Sequence, residues 1–351
     1  MSLTTTAAPH DRFLAQRRFG ALDGLRALGV LAVIWHHTSP SIIPQRFVNL
    51  GAHGVTLFFA VSGFLITSLL LREHEESGRI DLRAFFVRRV LRIFPLYYGV
   101  LLIYVGVVLI VEPTSEPGTT FFRNLPAYLS YTSNIFVPPS EGRVIFYFAW
   151  SLATEEQFYL AWPPLLALAR VRHRALLLLL CLLGIAAYGS LTEHRVLSLV
   201  PVSLVAGALL AVVLRSARGY ALLSVLLGAR VVAPLLLVAL FLAAVPAGVP
   251  DLIVHVLVSL LVGACVIRED HGLRALLSAR WLAYIGTISY GMYLLHMLCK
   301  NIAVRGLGAA GVAHDSVPVF LVTTALATAA ATLSFRYYES FFLRLKERYR
   351  R

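Results

Sequence analysis

Several ionisable side chains stand inside an apolar run near the start of the chain. The stretch 20–37 reads GALDGLRALGVLAVIWHH and carries Asp23, Arg26, His36 and His37. An ionisable group at membrane depth costs about 2.5–3.5 kcal/mol on insertion scales, so such groups are usually kept for a function. An imidazole can take up a proton, and a guanidinium can hold an anion. The stretch is therefore a candidate for acid–base chemistry on a charged substrate.

Helical spacing places two of these groups on one face. Arg26 and His37 are 11 residues apart, which is close to three turns at about 3.6 residues per turn, and the rise between them is about 16 Å. His36 points about a quarter turn away, so the two histidines are not equivalent. One helix can thus hold a fixed cation near one membrane surface and an imidazole about half a bilayer deeper.

Two further segments carry charged residues beside apolar spans. The segment 85–98 reads FFVRRVLRIFPLYY and contains Arg88, Arg89 and Arg92. These arginines fit a topology anchor or a lipid head-group site, or a phosphate clamp, because the guanidinium fork matches phosphate oxygens. The segment 150–163, WSLATEEQFYLAWP, contains Glu155 and Glu156. This pair suits a helix start, or it can partner a histidine or a buried arginine.

Hydroxyl and imidazole groups recur at helical spacing elsewhere. Ser151 precedes the glutamate pair and can cap its helix. In YIGTISYGMYLLHM, residues 284–297, the side chains of Ser289, Tyr293 and His296 share one face. A lone histidine is more often structural, but this one has hydroxyl neighbours. Ser62-Gly63, within another apolar segment, favours close helix packing.

The composition is that of a membrane protein. The chain has 351 residues, of which 58% are hydrophobic and 14% charged, whereas soluble domains have about 25% charged residues. The excess of Lys and Arg, 31 against 18 acidic residues, lies between apolar runs, so it indicates membrane orientation and not nucleic acid. Three cysteines, an odd number without zinc spacing, indicate neither a disulfide framework nor a metal site.

The elements that must position these groups are helices. About ten segments have the length of a transmembrane helix: 21–39, 50–71, 91–111, 149–169, 174–190, 195–214, 230–247, 251–267, 281–303 and 317–342. We therefore expect an all-α integral membrane protein, a bundle of about ten transmembrane helices. It forms a single domain over 1–351, with short tails at about 1–20 and 343–351.

The basic residues also predict the orientation of the bundle. Most of the 31 Lys and Arg residues fall on alternate connections, the side that receives both tails. By the positive-inside rule both termini are cytoplasmic, which places Arg26 toward the cytoplasm and His37 in the outer half. The longest outer connection, 112–148, has little regular pattern, which is more typical of a functional or re-entrant loop than of an idle one.

Five segments together resemble the acyltransferase family 3 of membrane O-acyltransferases. They read LDGLRALGVLAVIWHH at 22–37, GVTLFFAVSGFLIT at 54–67, RRVLRIFPLYY at 88–98, SLATEEQFYLAWP at 151–163 and SYGMYLLH at 289–296. They occur in the family's order and extend over most of the chain. The resemblance implies about ten transmembrane helices and transfer of an acyl group, usually acetyl from acetyl-CoA, to a hydroxyl, often on a sugar.

The resemblance also implies roles for particular residues. The family's Arg-ten residues-His, Arg-x-x-Arg and Ser-x-x-x-Glu signatures fall on Arg26 with His37, Arg89 with Arg92, and Ser151 with Glu155. Phe158 stands where many relatives have tyrosine, so Glu155 and Glu156 both stay candidates. We expect catalytic roles for Arg26, His37, Glu155 and Glu156, donor binding by Arg88, Arg89 and Arg92, and substrate contacts from Asp23, Ser151, Ser289, Tyr293 and His296.

The resulting hypothesis is a multi-pass O-acyltransferase of a bacterial inner membrane. Acyl-CoA, with acetyl-CoA as the expected donor, brings anionic phosphates to the arginines, and a neutral His37 takes the proton of a sugar or glycoconjugate hydroxyl. No metal is expected. The competing interpretations are a transporter or flippase for a glycan or lipid-linked substrate, whose polar residues line a path, and a structural or lipid-binding protein. Consumption of a thioester by purified protein separates the first two.

Overall fold

The regular structure of the chain is helical. The computed structural model describes residues 9–38, 44, 47–48, 50–137, 143–191, 202–244, 251–314 and 316–349, and none of these residues lies in a β-strand. The all-α class predicted from the sequence is thus confirmed. The α-helices are α1 (Pro9–Ala15), α2 (Gly20–Thr38), α3 (His53–Ser77), α4 (Leu82–Val111), α5 (Glu116–Leu129), α6 (Ser133–Phe136), α7 (Ala149–Leu168), α8 (Arg174–Leu191), α9 (Val202–Arg215), α10 (Ala217–Leu227), α11 (Val232–Ala244), α12 (Asp251–Ile267), α13 (Arg274–Leu277), α14 (Arg280–Gly308), α15 (Val317–Leu333) and α16 (Ser340–Glu347).

Short segments of other helix types complete the described structure. Leu50–Ala52 and Val171–His173 are 3₁₀ turns, and Ser334–Glu339 is a π-helical segment between α15 and α16.

Among the described helices, fewer candidate membrane spans are found than the sequence predicts. Of the described helices, four are long and apolar enough to cross a membrane: α3, α4, α14 and the continuous stretch Val317–Glu347. The number rises to six if α1 with α2, bent by 65°, and α9 with α10, bent by 113°, each form one span. The bundle of about ten spans is therefore not confirmed, although each predicted segment coincides closely with a helix over its described residues.

Length is one reason for this difference. The apolar helices α11 and α12 have 13 and 17 residues, fewer than the about 20 that a typical bilayer requires. Parts of the predicted spans 195–214 and 230–247 lie outside the described residues.

Helix α2 lies at the centre of the bundle, packed against α3, α14 and α15. Leu25, Val30 and Ile34 on α2 are fully buried. The contact with α14 is close because Gly286 has no side chain: a Cβ there would lie 1.8 Å from the carbonyl oxygen of Asp23. Because the two backbones approach so closely, side chains on α2 and α14 can meet inside the bundle.

Helices α3 and α9 also approach through paired glycines. A Cβ on Gly63 would lie 1.9 Å from the Leu204 carbonyl oxygen, and one on Gly207 would lie 2.2 Å from the Ala60 carbonyl oxygen. Small residues permit this backbone contact between helices. The packing role predicted for Ser62-Gly63 is confirmed.

Helix α4, which carries the arginine cluster, is fixed at its start and at its middle. The Asp81 side chain caps it by accepting a hydrogen bond of 2.9 Å from the Ala84 N–H. Near the internal Pro95, the Tyr338 hydroxyl donates to the Pro95 carbonyl at 3.0 Å, and the Tyr290 hydroxyl donates to the Ile93 carbonyl at 2.8 Å. Two tyrosines from the C-terminal half thus hold the segment that follows Arg92.

The connection 112–148 is more regular than the sequence predicts. It contains the 14-residue helix α5 and the short helix α6, so the expected lack of regular structure is wrong for its described part; residues 138–142 lie outside the described residues. Phe121 and Tyr128 of α5 are fully buried, and the Tyr97 hydroxyl donates to the Tyr128 carbonyl at 2.8 Å. These aromatic side chains hold α5 against α4. The helix is thus stabilised by tertiary packing, which the local sequence pattern does not show.

Candidate active site

His37 stands in the last turn of α2 with a defined tautomer. Its Nδ1 lies 2.9 Å from the Val33 carbonyl oxygen. A carbonyl oxygen can only accept, so Nδ1 carries the hydrogen and, in the neutral ring, Nε2 carries the lone pair. Nε2 has no hydrogen-bond partner among the residues that the structure describes. His37 is only partly buried, and this lone pair is available to a ligand.

A second imidazole from α14 lies against the first. The rings of His37 and His296 have centroids 4.9 Å apart. His296 is fully buried, its Nδ1 donates to the Tyr293 carbonyl at 2.5 Å, and its Nε2 is buried without a partner. Both neutral rings therefore hold their proton on Nδ1, and neither Nε2 can donate to the other. The two rings, the histidine pair, form an acceptor site for hydrogen-bond donors.

His36 has a different environment, as its angular position predicts. Its Nδ1 lies 3.1 Å from the Val48 carbonyl oxygen, in the segment that follows α2. Its ring centroid is 5.2 Å from that of His37. His36 therefore ties the end of α2 to the following backbone.

The hydroxyl groups predicted to contact substrate bond to one another and to the backbone. The Tyr293 hydroxyl donates to the Phe148 carbonyl at 2.9 Å and lies 2.7 Å from the Ser151 hydroxyl. Ser151 is not the cap of α7, because that helix begins at Ala149. The Ser289 hydroxyl donates to the Gly286 carbonyl of its own helix at 2.8 Å. Tyr293 and Ser151 thus join α14 to α7 beside the histidine pair.

Three arginines from α2 and α4 converge deeper in the bundle. Arg26 lies within electrostatic range of both Arg89 and Arg92. The Arg89 guanidinium lies over the Tyr159 ring, 5.2 Å from its centroid, and Arg26 Nε is buried without a hydrogen-bond partner. Arg26, Arg89 and Arg92, here called the arginine cluster, form no ion pair with any acidic residue in the described part of the chain.

Both predicted glutamates of α7 face this cluster. Glu155 and Glu156 lie within electrostatic range of Arg89. The Tyr159 hydroxyl donates to Glu155 Oε1 one turn along α7. The cluster is therefore bordered by carboxylates but leaves its guanidinium groups unpaired.

Arg88 and Asp23 do not join these groups. Arg88 forms an ion pair of 3.1 Å with Glu73, and it donates to the Tyr349 carbonyl at 3.0 Å. Asp23 forms an ion pair of 2.6 Å with the exposed Arg18 at the start of α2. Arg88 points about 100° away from its neighbour Arg89, and its bonds to Glu73 and Tyr349 keep its guanidinium away from the cluster.

Glu339 is a site residue that the sequence interpretation missed. It ends the π-helical segment Ser334–Glu339, its side chain is 5% exposed, and it lies within electrostatic range of Arg92. The Ser334 hydroxyl donates to its Oε1 at 3.2 Å. A buried carboxylate in an apolar C-terminal segment is a signal for function, and π-helical segments frequently occur at functional sites.

The two centres lie at different depths along the same helices. On α14, Tyr290 lies within electrostatic range of Arg92. His296 follows six residues later on the same helix, a rise of about 9 Å. On α2 the rise from Arg26 to His37 is about 16 Å. The site therefore combines a cluster of arginines with a pair of imidazoles farther along the bundle. No group of three or more His, Cys, Asp or Glu among the described residues is arranged to hold a metal ion.

Comparison with known proteins places the chain in a family. The family model described as "Acyltransferase domain" matches residues 19–337. The chain is 36% identical over 191 residues to "Putative peptidoglycan O-acetyltransferase YrhL" of Bacillus subtilis (strain 168), covering 49% of the chain and 28% of that relative. It is 33% identical over 171 residues to "O-acetyltransferase OatA" of Staphylococcus aureus (strain NCTC 8325 / PS 47), covering 47% and 27%.

The extent of these matches defines what they establish. The chain spans about a quarter of the length of the curated relatives that it matches. No solved structure matches it. The family match, in contrast, extends over most of the chain, from the first residues of α2 to the π-helical segment. The chain therefore belongs to the acyltransferase domain family.

Proposed function

We propose that the chain is a membrane O-acyltransferase that moves an acyl group, acetyl in the first instance, from acyl-CoA to a hydroxyl of a sugar or glycoconjugate. The observation that carries the proposal is the free Nε2 of His37, whose Nδ1 hydrogen is held by the Val33 carbonyl. An imidazole in this tautomer is a general base with its lone pair available.

The proposed reaction is a direct transfer. The acceptor hydroxyl gives its proton to His37 Nε2 while its oxygen forms a bond to the thioester carbonyl carbon. The C–S bond then breaks, and the departing thiolate takes the proton back from Nε2. His37 ends as it began, and the products are the O-acyl ester and the free thiol. His296, whose Nε2 is also an acceptor, is proposed to hold a second donor group of the acceptor.

The donor is proposed to enter from the side of the arginine cluster. CoA carries several phosphate charges, and unpaired guanidinium groups bind phosphate strongly. Arg89 and Arg92 are proposed to take the pyrophosphate, and Arg26, on the same helix face as His37, to orient the donor. Glu155 and Glu156 are proposed to hold the arginines in place. The expected setting is a bacterial inner membrane with the arginine cluster toward the cytoplasm.

Substitution of the two adjacent histidines tests the proposal. General-base assistance typically supplies about 10²–10⁴-fold in rate. His37→Ala should therefore reduce acyl transfer by about that factor while CoA still binds. His36→Ala, a matched control one residue away, should keep most of the activity because its bond to Val48 is structural. The measurement is thiol release from acetyl-CoA in the presence of saccharide acceptors. An active His37→Ala variant with an inactive His36→Ala variant would refute the assignment.

A further inference from the structure

A cavity lies at the end of the bundle opposite the histidine pair. It occupies about 110 Å³ between the corner that joins α1 to α2 and the last turns of α3. Its polar lining is formed by Arg17, Arg18, Asp23, Ser68 and Arg72. None of these residues belongs to the arginine cluster, so the cavity is a separate basic site.

The charges around the cavity leave it with a positive excess. Arg18 is neutralised by Asp23 at 2.6 Å. The Arg72 guanidinium donates to the Gln16 carbonyl at 2.5 Å and to the Arg17 carbonyl at 3.5 Å, which fixes the corner. Arg72 forms no ion pair within the described residues, and Glu75 and Glu76 lie within electrostatic range of it outside the cavity lining. Arg17 forms no ion pair within the described residues. The lining carries three arginines against one aspartate, and this positive excess attracts an anion.

The cavity and the arginine cluster are built on the same two helices. On α2, Asp23 lies in the cavity wall and Arg26 follows one turn later. On α3, Ser62 lies beside Tyr159, whose ring is under the Arg89 guanidinium. Arg72 follows Ser62 by ten residues, about 15 Å along the axis. Cavity, arginine cluster and histidine pair therefore follow one another along α2.

We propose that this cavity binds a phosphate group of the acyl donor, namely the ribose 3′-phosphate of CoA, while the arginine cluster takes the pyrophosphate. The inference rests on the proposed function. A CoA thioester carries phosphate at two separate positions, with the acyl end beyond the second, and this order is the order of the three centres along α2. A lipid head group would offer the same phosphate chemistry from another source.

Binding of CoA and of dephospho-CoA, which lacks only the 3′-phosphate, tests the assignment. Affinities of the purified full chain in detergent are measured by calorimetry for both compounds. Leu69→Glu places a carboxylate in the cavity wall at a side chain that is 47% exposed, and Leu69→Gln is its uncharged control. Arg17→Gln removes one cation, and Arg12→Gln is its control on the exposed face of α1.

The expected result is that the wild-type chain prefers CoA about tenfold or more. Leu69→Glu and Arg17→Gln should abolish that preference by weakening CoA alone, whereas both controls should keep it. Equal wild-type affinities, or a preference that survives Leu69→Glu, would overturn the inference while leaving the proposed donor intact. Absence of binding to either compound would remove the proposed donor and this inference with it.

A lipid arm separates the two sources of phosphate. The same variants are compared in bilayer discs of phosphatidylcholine with and without phosphatidylglycerol. If Leu69→Glu removes a thermal stabilisation by phosphatidylglycerol and leaves the preference for CoA unchanged, the cavity is a head-group site and the inference is wrong. If Leu69→Glu abolishes the preference for CoA over dephospho-CoA to the same extent in both lipid mixtures, the cavity binds the donor.

Discussion

The arginines of this chain differ in what their guanidinium groups contact. Near the ends of the helices, Arg215 pairs with Glu75 at 2.7 Å, and Arg268 pairs with Asp270 at 2.6 Å. The arginine cluster, in contrast, has nearby carboxylates but no ion pair. Removing charges from water without a partner costs several kcal/mol per ion. The cations of the arginine cluster, which have no ion pair, are the observation that supports the proposed binding of an anionic donor between them.

Substitution of Arg89 or Arg92 should weaken donor binding. A hydrogen bond to a charged group contributes about 1.5–3 kcal/mol, so Arg89→Ala and Arg92→Ala should each reduce CoA affinity at least tenfold in a detergent binding assay. Lysine should restore it only partly, because it lacks the bidentate fork. Arg83→Ala, an exposed cation on the same helix, is the matched control. Unchanged affinity in all variants would return Arg89 and Arg92 to the role of topology anchors.

At this scale, the sequence predicts the relative position of two residues when both lie on the same helix. The common face of Arg26 and His37, and the separate environment of His36, follow from the periodicity of α2 alone. The contact of His37 with His296 requires the close crossing at Gly286, which no local pattern contains. Glu339 was missed for the same reason, because its partner Arg92 lies on a helix far away in the chain.

The π-helical segment is the element that gives the arginine cluster its carboxylate neighbour from the C-terminal half. One side of it places Tyr338 on the Pro95 carbonyl, and the other places Glu339 toward Arg92. In a regular α-helix the side chains of Tyr338 and Glu339 would be about 100° apart. A π-helix has more residues per turn, so the angle between these two side chains is smaller. The segment therefore contacts α4 in two ways: Tyr338 bonds to the α4 backbone, and Glu339 interacts electrostatically with the α4 side chain Arg92.

Glu339→Gln should affect the donor more than the chemistry. Loss of the carboxylate removes the group that orients Arg92, so the KM for acyl-CoA should rise several-fold while kcat changes little. The double variant with Arg92→Gln should show little additional loss, since both substitutions remove the same electrostatic interaction. Glu347→Gln on the exposed last helix is the control. Additive losses, or a fall in kcat alone, would contradict a positioning role through Arg92.

At the scale of the whole molecule, helical segments are easier to predict than membrane spans. Apolar composition marks the long helices, and each predicted segment coincides with one of them over its described residues, whereas the more polar helix α5 was not predicted. Whether a helix crosses the bilayer depends on its length and on bends that tertiary packing imposes, such as the 113° corner between α9 and α10. The sequence pattern gives no measure of such corners, so it predicts the helical segments but not which of them cross the bilayer.

The distribution of basic residues predicts the orientation of the bundle, with Arg79 on the cytoplasmic side and α5 outside. Glu116 and Arg79 are both exposed, so single cysteines at these positions, in a chain whose native cysteines are replaced by serine, report the side directly. Glu116→Cys should react with a membrane-impermeant maleimide in intact cells, and Arg79→Cys should react only after the membrane is opened. A denatured sample of each variant controls for reagent access. The reverse labelling pattern would invert the topology and place the arginine cluster toward the outside, where a cytoplasmic acyl-CoA donor could not reach it.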